Sequence, residues 1–325
     1  MSPLLKRLED AYPNDVRVAY RHFPLTEIHD KAQLSAEASE AAGAQGKFWE
    51  MHDLLYETFD AWSGSSVEEF RLTLSDYAGQ IDLDVERFDA DLDSGEFMQK
   101  VTDARNFAIQ IGLSGTPFLL LNEQPWPGSL SYLSYNNLDG LVKFFVVLPE
   151  KQYTEYPAMT IGPDKKYTAT IATDKGDIVI ELYAKQAPLA VNSFVFLARK
   201  GWYDDVVWHR VIDQFVAQAG DLTGLGIGSV GYEYKTETSP DLKYDGAGWV
   251  GVARTSQIDT NGAQFFITRT GITQEQLDAL NGGPYTIFGQ VISGQEIVDS
   301  LTVRDPENSP DTEPSVILSI TIEEK

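Results

Sequence analysis

The spacing of apolar residues divides the chain into a helical first half and a strand-rich second half. Between Ile28 and Leu113, apolar positions recur every three to four residues, which places them on one face of a helix. This periodicity predicts helices over residues 32–44, 48–59, 67–77 and 101–111. A further helix is predicted at about 138–147, and residues 3–12 have the pattern of the remainder of a helix.

Two segments of the first half favour strands. Residues 15–23 (DVRVAYRHF) alternate apolar and polar side chains, which is typical of a half-buried strand. Gly115, Thr116 and Pro117 precede the unbroken apolar run 118–121, and a proline turn before such a run indicates a buried strand. Residues 1–150 are therefore expected to form a first domain that is mainly helical.

A change of pattern separates the second half from the first. Residues 151–166 contain two prolines and a glycine without periodicity, so they are predicted to be an interdomain linker. A hairpin is predicted over 167–183, and Pro188 begins a helix that ends at about residue 200. Further strands are predicted at residues 207–212, 215–219, 248–253, 264–268, 287–292 and 316–323. Many short strands with about two helices predict a closed antiparallel barrel over residues 167–325.

Composition narrows the possible functions. The chain has 325 residues, of which 42% are hydrophobic, and this fits two globular domains. The formal net charge of −24 argues against a nucleic-acid partner, because binding a polyanion needs a basic surface. The absence of cysteine excludes disulfides, thiolate metal sites and thiol nucleophiles in this polypeptide. No metal or other cofactor is expected, since the four histidines lack ligand-like spacing; they are His22, His29, His52 and His209.

The sequence predicts no membrane span. It contains no run of 18 apolar residues, and its first residues lack the order of a signal peptide. As written, the chain is expected to be soluble and cytoplasmic, whereas a targeting segment upstream would place it in the cell envelope or make it secreted. The sequence leaves the oligomeric state open.

Four separated blocks of the second half carry the candidate chemistry. They are residues 208–212 (WHRVI), 215–221 (FVAQAGD), 261–267 (NGAQFFI) and 285–289 (YTIFG). In order and spacing these blocks resemble the signature of the cyclophilin family of peptidyl-prolyl cis-trans isomerases, and the likeness extends from Tyr167 to the C-terminus. The resemblance implies a barrel capped by helices and an isomerase that assists folding of proline-containing polypeptides.

The residue types in these blocks suit that reaction. Rotation about an X-Pro amide breaks its resonance, at a barrier of roughly 18 to 20 kcal/mol, and requires no covalent or metal step. A catalyst must bind the twisted amide better than the planar forms. An apolar socket for the proline ring and a cation near the prolyl nitrogen meet this requirement.

The resemblance also implies roles for individual residues. Arg210 takes the place of the donor to the prolyl amide, with Phe215 and Gln218 as further catalytic residues. A guanidinium stays charged and can serve the nitrogen and a carbonyl together. The residues implied in substrate binding are Val216, Ala253, Arg254, Gln264, Phe266, Leu280 and Tyr285. Among these, Phe266 and Leu280 are expected to line the proline socket together with Phe215.

Structural roles are the alternative for the same residues. A strand arginine is more often part of a surface ion pair, and Phe215 and Phe266 taken alone fit an ordinary barrel core. The four blocks together favour the functional interpretation of Arg210. His209 is predicted to be structural, because strand alternation directs neighbouring side chains to opposite faces.

Several positions depart from common nucleotide-binding or cyclophilin patterns. Residues 226–231 (GIGSVG) satisfy G-x-G-x-x-G, but no helix pattern follows, so they match a flexible loop beside the cyclophilin groove better than a nucleotide site. Val216 replaces the usual methionine of the pocket, and Arg254 stands where many members have asparagine. Ala279 replaces the tryptophan that favours cyclosporin binding, so weak binding of that drug is expected.

The first half carries a resemblance of its own. Residues 23–25 (FPL), 41–49 (AAGAQGKFW) and 115–118 (GTPF) are similar to DsbA-type thioredoxin-fold oxidoreductases, over residues 3 to about 148. The resemblance implies a thioredoxin-like α/β fold with a helical insertion. Those enzymes carry Cys-x-x-Cys at the start of a helix, whereas this chain begins inside that helix without cysteine. We therefore expect an N-terminally truncated domain without thiol redox chemistry.

Two functions remain open from the sequence. The first is peptidyl-prolyl cis-trans isomerisation by residues 167–325. The alternative is a non-catalytic proline-binding or chaperone module with a degenerate thioredoxin-like platform. Faster exchange of a proline peptide in the presence of the protein distinguishes the first from the second.

Overall fold

A computed structural model of the protein describes residues 2–126, 133–305 and 311–325. The chain separates into two units. The first contains Met1–Lys6 and Arg17–Pro127, and the second contains Arg7–Val16 and Gly128–Lys325. Each unit has its own cluster of buried apolar side chains.

Helices account for most of the first part of the chain. They are α1 (Ser2–Ala11), α2 (Ala32–Gly43), α3 (Phe48–Glu57), α4 (Phe59–Trp62), α5 (Val67–Gln80), α6 (Val85–Ser94) and α7 (Met98–Gln110). Alanines of α2 face the core of the first unit, where Phe70 and Phe88 are fully buried. These small side chains let α2 approach its neighbours closely. The helices predicted from the apolar periodicity are present, with the second one divided at Thr58.

The prediction of a strand at residues 15–23 is wrong. That segment has no regular secondary structure. A strand needs a neighbour for its backbone N–H and C=O groups, and within the described residues no strand pairs with this one. Inside the apolar run 118–121, β1 (Leu120–Leu121) pairs antiparallel with β2 (Gln124–Pro125). The predicted burial of this run is wrong, because the side chains of Phe118 and Leu120 are exposed. The Thr116–Pro117 peptide bond is cis.

The second unit combines a sheet with shorter helices. Its helical elements are α8 (Tyr135–Val142), a π-helical turn (Lys143–Val147), α9 (Leu148–Lys151), α10 (Pro188–Arg199), α11 (Gln274–Gly282) and α12 (Gln295–Ser300). Its strands are β3 (Tyr167–Thr173), β4 (Gly176–Leu182), β5 (Val206–Val207), β6 (Arg210–Val211), β7 (Val216–Ala219), β8 (Trp249–Val252), β9 (Phe265–Thr268), β10 (Ile287–Ser293) and β11 (Val316–Glu324).

The nine strands form one antiparallel sheet in the order β5-β11-β3-β4-β10-β8-β9-β7-β6. The sheet is curled, since its two end strands, β5 and β6, are separated by only two residues in sequence. The expected antiparallel β-architecture is therefore present as a curled sheet with a half-barrel form.

The central strands are apolar on both faces. In β9, Phe265 and Ile267 belong to the main core, whereas Phe266 belongs to a second apolar cluster on the opposite face. In β8, Val250 belongs to the main core and Trp249 to the second apolar cluster. Because successive strand side chains point to opposite faces, a continuous apolar run supplies both the core and the surface cluster. Within the described residues, no helix has the length and apolar character needed to span a membrane.

Candidate active site

One row of side chains crosses four adjacent strands. Arg210 of β6 is opposite Gln218 of β7, which is opposite Phe266 of β9, which is opposite Gly251 of β8. Directly opposed residues of antiparallel strands lie about 4.5 to 5.5 Å apart and share a face. Pairing of the strands therefore brings a guanidinium, an amide and a phenyl ring together from distant parts of the sequence.

The phenyl ring of Phe266 needs the glycine at the end of this row. A Cβ atom on Gly251 would lie 2.2 Å from Oη of Tyr244 and 2.5 Å from Cζ of Phe266. Only glycine leaves space for both rings over β8. The rings of Tyr244 and Phe266 are nearly parallel, 5.9 Å apart between centroids, and the Tyr285 ring meets Phe266 edge-on at 5.9 Å.

These rings belong to an apolar cluster that forms the candidate socket. Its buried members are Val216, Tyr244, Trp249, Phe266, Leu277, Leu280 and Ile287. Its partly buried members are Tyr183, Phe215, Leu242, Ala253, Ile272 and Tyr285. Six of the residues expected in the site are therefore in one cluster, with a buried floor and an accessible rim.

A pair of glutamines forms the polar side of the site. Nε2 of Gln218 donates to Oε1 of Gln264 at 3.0 Å. The backbone N–H of Ala253 donates to the carbonyl of Gln264 at 2.9 Å, which joins the neighbouring strand. Within the described residues, no donor reaches the side-chain oxygen of Gln218, so this oxygen can accept from a peptide N–H.

Arg210 carries an unpaired positive charge. Its side chain is partly buried on β6, and in the part of the chain that the structure describes no carboxylate lies within ion-pair distance of it. The surface ion pair that strand arginines commonly make does not occupy this guanidinium. Its donors are available for a bound carbonyl or amide.

A second cation lies at the rim of the socket. The guanidinium carbon of Arg254 is 4.5 Å from the centroid of the Tyr285 ring, a cation–π distance. Nη1 of Arg254 also donates to the carbonyl of Thr255 at 2.9 Å. These contacts hold Arg254 against Tyr285 rather than over the Phe266 ring.

His209 directly precedes β6 and lies in a different environment from Arg210. Burial is the main reason that the pKa of His209 is lowered to about 4; the charge of Asp221 opposes this shift, while those of Arg304 and Arg210 add to it. Nη1 of Arg304 donates to the carbonyl of His209 at 2.9 Å. His209 is therefore neutral at pH 7 and buried next to β6.

Four buried socket residues were not among those expected from the sequence: Tyr244, Trp249, Leu277 and Ile287. Leu277 precedes Leu280 by three residues on α11, so helical spacing was a usable signal for it. Tyr244 lies outside helices and strands, where no periodicity marks its partner. Among the described residues, no group of three or more His, Cys, Asp or Glu side chains is placed to hold a metal ion.

The fold and the site define an antiparallel β-domain in which an apolar socket lies beside an unpaired arginine. The family model for "Cyclophilin type peptidyl-prolyl cis-trans isomerase/CLD" matches residues 168–322, and the model for "DSBA-like thioredoxin domain" matches residues 1–137. The second unit thus has a cyclophilin fold, and a DsbA-like thioredoxin domain precedes it.

Curated relatives agree with the family match. The chain is 37% identical over 143 residues to a peptidyl-prolyl cis-trans isomerase of Arabidopsis thaliana, covering 43% of this chain and 83% of the relative. It is 42% identical over 146 residues to peptidyl-prolyl cis-trans isomerase-like 1 of Mus musculus, covering 44% of this chain and 82% of the relative. A solved cyclophilin-type isomerase from Cryptosporidium parvum is 31% identical, with a TM-score of 0.43, covering 49% of this chain and 98% of that one.

The chain belongs to the cyclophilin-type peptidyl-prolyl cis-trans isomerase family. Its activity is peptidyl-prolyl cis-trans isomerisation, and its substrates are proline-containing peptides. The resemblance and the enzyme class inferred from the sequence are confirmed.

Proposed function

We propose that Arg210, Phe215 and Gln218 form the catalytic part of the isomerase site. The observation that carries the proposal is the unpaired guanidinium of Arg210 beside the Phe266 socket, in register with Gln218. In the twisted amide the prolyl nitrogen gains a lone pair, which a guanidinium N–H stabilises more than it stabilises the planar amide. The oxygen of Gln218 accepts from the flanking peptide and fixes its orientation.

The remaining site residues bind the proline and its neighbours in this proposal. Val216, Phe266 and Leu280 form the buried floor that takes the pyrrolidine ring. Ala253 and Gln264 support the adjoining peptide, with Arg254 and Tyr285 at the rim. The reaction needs no covalent or metal-dependent step, because isomerisation neither transfers a proton nor forms a bond to the enzyme.

The architecture around the site is part of the same proposal. A closed barrel capped by helices is supported by β5 and β6, which lie at opposite ends of the strand order yet adjoin in sequence. Domain boundaries of 1–150 and 167–325, joined by residues 151–166, are supported by the family matches at 1–137 and 168–322. The clients are polypeptides that contain proline.

Replacing the guanidinium tests the catalytic proposal. Arg210→Ala is expected to lower kcat/KM for a proline peptide by about 10²-fold, the scale for losing one donor to the transition state. Rates are measured in a protease-coupled assay and by NMR exchange, with peptide affinity measured separately. Arg199→Ala removes an arginine of α10 that pairs with Glu324, and is expected to leave the rate unchanged.

An Arg210→Ala protein with the wild-type rate would show that the guanidinium is not catalytic. Peptide binding without accelerated exchange in the wild-type chain would instead favour a proline-binding module. Loss of rate with retained affinity in Arg210→Ala supports the proposal, since the missing interaction then belongs to the transition state.

A further inference from the structure

Residues 152–162, which we call the strap, are packed onto the sheet unit. The strap contains no helix or strand. The ring of Tyr153 lies 5.1 Å from that of Phe196, and the ring of Tyr156 lies 5.5 Å from that of Tyr232. Oη of Tyr156 donates to the carbonyl of Leu189 at 2.6 Å. Aromatic contacts and a partly buried hydrogen bond thus hold the strap against α10 and Tyr232.

The strap also bonds to the loop at residues 226–231, which we call the glycine loop. The backbone N–H of Tyr153 donates to the carbonyl of Val230 at 2.9 Å. Nε2 of Gln152 donates to the carbonyl of Ser229 at 3.0 Å. A Cβ atom on Gly231 would lie 2.1 Å from the carbonyl oxygen of Tyr153, so the two backbones are in direct contact.

The other end of the glycine loop contacts the candidate active site. The carbonyls of Gly226 and Gly228 both accept from Nε2 of Gln264, at 3.1 and 3.2 Å. With its N–H groups held there, Gln264 turns its side-chain oxygen to Nε2 of Gln218 at 3.0 Å. The glycine loop therefore sets the orientation of both site amides.

The glycine loop depends on a few contacts for its position. It has no regular secondary structure, and its glycines give it high backbone freedom. The backbone N–H of Gly226 donates to Asp221 at 2.6 Å, which fixes the start of the loop. The bonds from Gln152 and Tyr153 fix its end. Without the strap, the far end of the loop would keep the buried side chain of Val230 but would lose both hydrogen bonds to its backbone carbonyls.

We infer that the strap is a positioning element of the isomerase site, acting through the glycine loop, Gln264 and Gln218. The inference rests on the roles proposed above for Gln218 and Gln264. It assigns to Gln152 and Tyr153 an effect on catalysis without contact with substrate. The strap keeps the side-chain amides of Gln218 and Gln264 in one orientation, which preserves the alignment of the bound peptide.

A pair of glycine substitutions in the full chain separates positioning from stability. Gly231→Ala places a methyl group against the Tyr153 carbonyl, at a backbone φ of 94°. Gly294→Ala places one 2.2 Å from the carbonyl oxygen of Asp177, at a φ of 89°, away from the glycine loop and the site. The two variants impose matched strain at different places.

The readouts are kcat and KM for a proline peptide, unfolding midpoints, and the side-chain amide NMR signals of Gln218 and Gln264. Gly231→Ala is expected to lower kcat/KM about tenfold or more, since small misplacements of site groups are costly. It is also expected to shift both amide signals. Gly294→Ala is expected to lose comparable stability while keeping the wild-type rate and amide signals.

Equal losses of rate in the two variants, or unchanged amide signals in folded Gly231→Ala, would overturn the inference. If Gly231→Ala does not fold, Gln152→Ala decides the question, because it removes only an exposed hydrogen bond to the loop. It is expected to shift the Gln264 signal and lower kcat/KM about two- to fivefold. If neither the signal nor kcat/KM changes, the inference is wrong. Arg210→Ala, measured in parallel, shows separately whether the proposed catalytic site is right.

Discussion

At the scale of single residues, the site depends on opposite requirements at neighbouring positions. In the proposed site Arg210 is partly exposed, as a contact with substrate requires, whereas His209 beside it is buried and neutral. Extended backbone satisfies both, because successive side chains face different environments. Gly251 shows the same dependence, since any side chain there would displace the rings of Tyr244 and Phe266.

The buried histidine makes stability depend on pH. The pKa of His209 is about 4 in the folded chain and near 6.5 when unfolded, so the unfolded chain binds the proton first as the pH falls. Stability is therefore expected to decrease between about pH 6.5 and pH 4, by an amount on the order of 3 kcal/mol. Denaturant unfolding of the second unit at a series of pH values measures this.

Two variants isolate the contribution of His209. His209→Asn is expected to lower stability at neutral pH but to flatten the pH dependence over that window. His29→Gln removes an exposed histidine and is expected to keep the wild-type slope. Equal slopes for wild type and His209→Asn would show that another group causes the loss of stability.

At the scale of elements, the socket depends on a short helix as well as on the sheet. Helix α11 supplies Leu277 and Leu280, and begins with a capping box between Thr273 and Gln276. The cap satisfies backbone N–H groups at the start of the helix that have no partner within it. An element of nine residues has little intrinsic stability, so the cap helps to keep both leucines in the socket.

Removing this cap is expected to affect substrate binding. Thr273→Ala should cost about 1 kcal/mol of stability and raise KM severalfold with little change in kcat. The matched control is Ser66→Ala, which removes the same motif from α5 in the first unit. It should cost similar stability there without changing KM. Equal KM values for both variants would show that α11 does not depend on its cap.

At the scale of the whole molecule, the dominant feature is the excess of acidic residues. A formal net charge of −24 on 325 residues makes the compact state repel itself. The proposed isomerase site, in contrast, contains the cations Arg210 and Arg254. An acidic client is therefore attracted by these two arginines but repelled by the acidic residues elsewhere on the protein.

Because its acidic residues repel one another, the thermal stability of the protein is expected to depend on salt concentration. Sodium chloride is expected to raise the thermal midpoint, with most of the gain below about 0.1 to 0.2 M, because the Debye length is already near 10 Å at 0.1 M. Thermal unfolding at constant pH over a salt series measures this. A midpoint that falls, or that rises only at molar salt, would contradict a screening effect.

Much of the second unit was predictable because its strands are marked by local pattern. The hairpin β3–β4 and helix α10 occur close to the expected positions. The first half of the chain was harder to predict from its sequence. Residues 15–23 have the alternation of a strand but lack a partner among the described residues, and alternation alone carries no information about pairing.

The candidate site was predictable as a set of residues but not as a geometry. Phe215, Phe266 and Leu280 were expected to line one socket, and they lie in one cluster. Tyr244 comes from an irregular segment, so only its packing against Phe266 reveals it. The hydrogen bonds of the strap likewise join residues about 77 positions apart, such as Gln152 and Ser229.

By itself, the sequence determined the strand and helix periods, the cysteine-free and acidic composition, and the set of residues with a cyclophilin signature. These properties depend on neighbouring residues or on composition, so they can be read along the chain. The tertiary structure decided the row Arg210, Gln218 and Phe266, the space over Gly251, and the packing of the strap. Each of these depends on strand register and close packing between distant segments, which are set by the free energy of the whole unit rather than by any local pattern.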